Sequence, residues 1–242
     1  MISRLPAASL WLETPVEAIG RQDAGWVISS QSRSERFDGV IVATPAPVAA
    51  RLVRPISGSL GEELLDISYT SSITVTLVYD QAVRTSLPPG FGFLVPSSEG
   101  RRILAATFVH NKFPYRAPDD RALVRCFISG SRNEGVLERS DAEILSIARE
   151  ELQQTIRLGA DPLFARIYRW KSVMAQYGVN HLERLERIDR SISQVPALAL
   201  AGNGYRGIGV PDCIRSGHEA AGKLLAVLGL DHGKPAQPSL RV

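Results

Sequence analysis

Pro196 to Leu228 reads PALALAGNGYRGIGVPDCIRSGHEAAGKLLAVL, and its residue types are those of an anion-binding joint. The apolar run Ala197 to Ala201 predicts a buried strand, which empties into a loop holding Gly202, Gly204, Gly207 and Gly209. Asp212, after Pro211, is read as the N-cap of a helix with an apolar stripe of Ile214, Ala221, Leu224, Leu225 and Leu228, ended by Gly229. Backbone amides beside glycines, together with the roughly half positive charge of a helix start, attract a negative group. The same residues would also make an ordinary strand-loop-helix joint with no ligand. The glycine spacing is read as excluding both GxGxxG and GxxxxGK[ST], so the loop is expected to be neither a first-strand dinucleotide fingerprint nor a P-loop.

Other reactive side chains are sparse. His110, His181 and His218 have the right chemistry for general bases, but none has an evident partner in sequence, and the catalytic residues stay unassigned. Cys126 and Cys213 lie far apart without metal-ligand spacing. That predicts free thiols, no metal and a reducing, cytoplasmic setting.

These groups have to be positioned by a chain of 242 residues, 44% of them hydrophobic, with no apolar run near the roughly 20 residues that cross a bilayer. Met1 to Pro6 has no signal-peptide layout. The formal charge is +3, mostly from scattered arginines. No basic block interleaved with aromatics appears, so a nucleic-acid partner is not expected. Such a surface suits an anionic substrate or a lipid headgroup layer.

The element pattern is mixed. Ser9 to Ile19 and Gly25 to Ser30 read as extended, around a turn at Gly20 to Ala24. Phe37 to Pro45 holds a short buried strand with a proline stop, and Pro47 to Leu52 a short helix. From Tyr69 the residues alternate, Ile73, Val75, Leu77 and Tyr79 on one side. Gly90 to Pro96, Arg101 to Val109 and Ala122 to Ser129 add strands to what reads as an antiparallel sheet. Ser140 and Glu143 form a capping box for a helix with Ile144, Ala148, Leu152 and Ile156 on one face, closed by Gly159. Asn180 and Glu183 repeat the device before Leu182, Leu185, Ile188 and Ile192, with Glu183, Arg184, Glu186 and Arg187 as a solvated face.

The run LAGNGYRGIGVPDCIRSG resembles the C-terminal signature of the protoporphyrinogen oxidase family, within the wider flavin amine oxidases and desaturases. FDGVIVATP resembles that group's DxVIxATP segment, GFGFLVPSSEGRRIL its substrate-domain strand pair, FPYRAP the segment after it, and AQYGVNH its PQYxxGH. Together these matches run from about Leu10 to Leu228. Ala175, Asn180 and His110 depart from the family pattern without removing a known catalytic group.

The resemblance implies a mixed α/β chain: a partial FAD-binding domain from residues 1–54 and 168–242, enclosing a substrate domain of antiparallel sheet and helix at 55–167. It implies FAD as cofactor, contacted by Val16, Trp170, Gly202, Ile208, Gly209 and Val210. It implies a porphyrinogen substrate, proto- or coproporphyrinogen, oxidised by oxygen against a wall of Phe91, Leu94 and Leu104. Pattern alone reads those three as sheet core. The family's first strand, with its GxGxxG loop, should lie upstream of Ser9. The chain is therefore expected to be inactive alone, to need an N-terminal half or to self-associate, and to touch the inner face of the plasma membrane at most peripherally. The rival expectations are another amine oxidase or desaturase relative, or a non-catalytic porphyrin-binding or complementing half-subunit.

Overall fold

The computed structural model describes residues 5, 6, 9–129 and 135–230, so Met1 to Arg4 of the amino-terminal stretch lie outside the described residues. The chain divides into two compact units, residues 1–68 with 175–242, and residues 69–174. The expected boundaries at 55 and 168 shift because residues 55–68 pack with the first unit.

In the first unit β1 (Ala18–Gln22), β2 (Gly25–Ser30) and β3 (Arg33–Phe37) form an antiparallel meander. The extended reading of Ser9 to Ile19 is corrected, since regular pairing begins only at Ala18. Residues β4 (Val40–Val42), α1 (Ala46–Val53) and α2 (Gly58–Leu65) follow. Ser57 caps α2, its hydroxyl accepting from the Leu60 amide at 3.4 Å.

The second unit is built on β5 (Tyr69–Tyr79), followed by α3 (Gln81–Ser86), β6 (Gly92–Leu94), β7 (Ile103–Phe108), α4 (Val109–Lys112), β8 (Ala122–Ser129), α5 (Asp141–Ile156) and β9 (Phe164–Ala175). Its sheet runs β6-β7-β8-β5-β9. The alternation seen in the sequence puts Ile73, Val75 and Leu77 of β5 and Val124, Cys126 and Ile128 of β8 on one face, fully buried with Ile144, Ala148 and Leu152 of α5. Thr74, Thr76, Arg125 and Phe127 take the opposite face and are half-buried. The capping box forms as expected: the Glu143 amide donates to Ser140 Oγ at 3.3 Å and the Ser140 amide to the Glu143 carboxylate at 3.0 Å. Arg157, at φ 59°, ends α5 in place of Gly159.

The chain then returns to the first unit with α6 (His181–Ser193), β10 (Leu198–Leu200) and α7 (Val210–Val227). β10 runs parallel to β4, Leu198 opposite Val40, and α7 packs on both strands. Two expectations for α6 fail. Asn180 sits at φ 63° and offers no side-chain cap. The charges on α6 are not all solvated either, because Arg187 Nε meets Glu63 of α2 at 2.6 Å and Arg184 reaches Asp66 at 3.8 Å. Packing α6 against α2 turns part of a polar face into an inter-helix contact.

Candidate functional site

The glycine loop of the first unit joins β10 to α7. Gly202 and Gly207 have φ of +126° and +134°, a backbone that side-chain-bearing residues rarely adopt. A Cβ on Gly207 would stand 2.5 Å from the Asp212 carboxylate, so that position is closed to larger residues by packing as well. At Gly202 a Cβ would meet nothing within 4 Å, which leaves open space above the backbone.

Asp212 is not the N-cap. Gly209 is, with helical residues beginning at Val210, and Asp212 in the first turn accepts from the Gly209 amide at 3.2 Å. Proline at the second helical position supports the start one turn earlier than expected, since its missing N–H costs nothing there. The Arg215 guanidinium pairs with the other Asp212 oxygen, and the Gly202 amide donates to Ser216 Oγ at 3.1 Å. Both ends of the loop are thus tied to the first two turns of α7. The side chains of Ile208 and Val210 face outward, Val210 with 73% of its surface exposed.

A second set of contacts, which the sequence reading missed, holds the middle of the loop. The Tyr177 hydroxyl accepts from the Gly207 amide at 2.8 Å and donates to the Asn203 carbonyl at 2.8 Å. His181 is buried, and its Nε2 donates to the Tyr205 carbonyl at 2.8 Å, which fixes the proton on that nitrogen. Its role is to hold the loop, not to act as a general base. The signal was present in AQYGVNH, where Tyr177 and His181 stand four apart and so fall on one side of the start of α6. His218 is exposed on α7.

Gly202, Gly204 and Gly207 themselves stand at the G-x-G-x-x-G spacing, contrary to the sequence reading. The surrounding elements differ from a first-strand fingerprint: α7 starts beyond the third glycine, and among the described residues no strand follows α7 to close a βαβ unit. Val16, the other expected cofactor contact of this unit, lies just before β1 and is exposed.

Trp170 and the expected substrate wall belong to the second unit. Leu94 is 84% and Phe91 64% exposed, so neither is sheet core. Leu104 is the extra residue of a bulge in β7 between Ile103 and Ala105, half-buried, its carbonyl accepting from Val95 at 2.8 Å. Register puts Leu94 opposite Ala105, Ala105 opposite Phe127 and Phe127 opposite Thr74. The Trp170 indole N–H donates to Thr74 Oγ1 at 3.1 Å, which continues that row onto β9. The face opposite the α5 core therefore presents a row of Leu94, Ala105, Phe127 and Trp170. His110, at one end of this sheet, is 1% exposed, and its Nδ1 accepts from the Leu123 amide at 3.1 Å. Burial pushes its pKa down, helped by Arg84, against the backbone contact at Leu123. Its burial and the bond to Leu123 give it a structural place at the end of the sheet.

Among the described residues no group of His, Cys, Asp and Glu could hold a metal ion, and no helix is long and apolar enough to cross a membrane.

Known proteins with similar sequences include coproporphyrinogen III oxidase of Bacillus subtilis (strain 168), 28% identical over 79% of this chain and 40% of the relative. Coproporphyrinogen III oxidase of Mycobacterium bovis is 31% identical over 90% of this chain and 46% of the relative. Protoporphyrinogen oxidase 1, chloroplastic, of Arabidopsis thaliana is 30% identical over 81% and 37%. A crystal structure from Exiguobacterium sp. 255-15, provisionally named protoporphyrinogen oxidase, superimposes with a TM-score of 0.78 at 27% identity, over 88% of this chain and 47% of that one. Cyclohexylamine oxidase from Brevibacterium oxydans shares the fold at a TM-score of 0.67 and 17% identity. The chain thus spans less than half the length of these relatives. The mixed α/β fold and the FAD expected from the sequence agree with these findings. With the family model matched over residues 1–225, the chain belongs to the flavin containing amine oxidoreductases.

Proposed function

We propose that this chain is part of an FAD-dependent enzyme that oxidises a porphyrinogen, proto- or coproporphyrinogen, to the porphyrin with oxygen as acceptor. The observation that carries the reading is the glycine loop before α7, with open space at Gly202 and exposed Ile208 and Val210. A flat cofactor laid there fits, because its atoms would rest on backbone without meeting a side chain at Gly202. Bound flavin supplies the acceptor for hydride and the route for electrons to oxygen, giving peroxide. The chain's own residues orient and exclude water: Tyr177 and His181 hold the loop in shape, and the positive end of α7 favours negative charge beside it. Val16, Gly202, Ile208, Gly209 and Val210 form the cofactor set within the first unit. On the second unit Phe91, Leu94 and Leu104 supply the substrate wall, and Trp170 is read as a further cofactor contact.

The pairing of β4 with β10 supports a further part of the reading, that the active assembly includes more protein. A two-stranded parallel sheet is short of the strands such sheets normally need, so additional strands from another polypeptide segment or a second copy complete it. The scattered positive charge suits a cytoplasmic enzyme that meets a membrane surface only peripherally.

The test is oxidation of both porphyrinogens by the chain supplied with FAD, alone and together with the N-terminal half of one of the relatives. Porphyrin fluorescence should rise only when the other half is present. Amine turnover without porphyrin formation would move the chain to another branch of the family, and porphyrin binding without turnover would make it a non-catalytic subunit.

A further inference from the structure

The open sheet face of the second unit carries a cation that none of the expected roles uses. Arg125 of β8 lies two residues from Phe127, on the same face, with Thr76 and Thr107 as its cross-strand neighbours. Its Nε donates to Thr76 Oγ1 at 3.1 Å, which holds the guanidinium over the sheet, and among the described residues its terminal nitrogens have no hydrogen-bond partner. Among the described residues no carboxylate pairs with it, in contrast to Arg102, Arg169 and Arg187. Gly92 and Thr107 lie in the same cross-strand row, so nothing bulky crowds it there.

The face therefore has two parallel rows about 7 Å apart, the rise of two strand residues. One row is apolar, Leu94, Ala105, Phe127 and Trp170; the other, from β6 to β5, is Gly92, Thr107, Arg125 and Thr76, small and polar around a half-buried arginine. A flat apolar ring resting on the first row would set a carboxylate arm at its edge over the second. Guanidinium matches a carboxylate in shape and charge, and on a half-dry surface that pairing is stronger than in water.

We infer that Arg125 is a specificity residue of the substrate wall, binding a peripheral carboxylate of a tetrapyrrole, and so favours the more carboxylated coproporphyrinogen over protoporphyrinogen, which has vinyl groups where the former keeps propionates. This rests on the porphyrinogen reading above. Arg166, exposed on the edge strand β9, serves as the control for charge without placement, since among the described residues no hydrogen bond or ion pair holds its guanidinium.

The experiment titrates the full chain with coproporphyrin III and with protoporphyrin IX, following porphyrin fluorescence, in Arg125→Gln, Arg125→Lys, Thr76→Val and Arg166→Gln. Loss of one charge-assisted bond should weaken coproporphyrin about tenfold in Arg125→Gln, with protoporphyrin changed about threefold or less. Arg125→Lys should recover part of the loss, Thr76→Val should show a smaller loss with the charge intact, and Arg166→Gln should change affinity less than about twofold. Thermal unfolding of each variant separates misfolding from lost recognition, and if Arg125→Gln does not fold, the lysine and Thr76 variants decide. Unchanged coproporphyrin affinity in the folded Arg125 variants, with porphyrin still bound, overturns the role of Arg125 and leaves the porphyrinogen reading standing. Binding of neither porphyrin by the unaltered chain, with the N-terminal half of a relative present, overturns both.

Discussion

Tyr177 and His181 lie ring on ring, their centroids 4.1 Å apart and their planes 10° from parallel, and each holds a different carbonyl of the glycine loop. The stack fixes the tyrosine, and the tyrosine hydroxyl fixes Gly207. A loop with so many glycines has few side chains of its own to hold its shape, so it borrows those of the neighbouring segment.

Tyr177→Phe keeps the stack and removes both hydroxyl bonds to the loop. Each such bond contributes about 0.5–1.5 kcal/mol net, so thermal stability should fall modestly. Flavin affinity of the assembled enzyme should fall as well, because the loop loses its set conformation before binding. A flavin affinity equal to the unaltered protein would show that the loop keeps its shape without Tyr177.

Gly209→Val and Phe91→Ala should separate cofactor from substrate. Gly209 has an ordinary φ of −73°, and a Cβ there would stand 3.0 Å from the Asp212 carboxylate, so valine strains the start of α7 and fills the surface where the flavin is proposed to lie. Flavin absorbance should be lost. Phe91→Ala removes an exposed ring and should keep the flavin while costing roughly 1–3 kcal/mol of substrate contact, about ten- to a hundredfold in kcat/KM. Retained flavin in the first variant, or lost flavin in the second, would reverse the assignment.

His110 makes a prediction about pH. Burial lowers its pKa, so the folded state binds fewer protons than the unfolded state in the window just below the ordinary histidine value of about 6.5. The stability it contributes is present above that value and is lost as pH falls toward its folded pKa. Glu143 and Glu150, held low by the Ser140 hydroxyl and the Arg102 guanidinium, lose their contributions only as pH falls below the ordinary carboxylate range, about 4.3. The melting temperature should therefore decline as pH falls below about 6.5, and His110→Gln should flatten that limb while leaving the acid limb in place. An unchanged slope would assign the effect to another group.

The two cysteines should react differently. Burial pushes the Cys126 thiol up to about 12, in the core between β5, β7 and α5, whereas Cys213 is partly exposed in the first turns of α7. An aromatic disulfide reagent should titrate one thiol in the native protein and both after denaturation, and Cys213→Ser should abolish the native reaction.

Much of this protein was legible in its residues. The alternation from Ile73 to Tyr79 placed a sheet face, the Ser140 and Glu143 pair placed a helix start, and the glycine run marked the joint between β10 and α7, because each of these is decided by neighbours a few residues away. Family membership was legible too, since several short motifs recur in one order. What tertiary structure decided is where distant residues meet. Asp212 became a first-turn acceptor because the helix starts at Val210, with Pro211 at its second position. Leu94, an apolar residue that pattern assigns to a core, stands on the open face because α5 covers only the other one, and Phe91 lies exposed just before β6. Arg184 and Arg187 gained carboxylate partners on and beside α2 when α2 packed beside α6. Tyr177 and His181 acquired a task only because the chain, after crossing the second unit, returns beside the loop they hold; local sequence carries no record of that return.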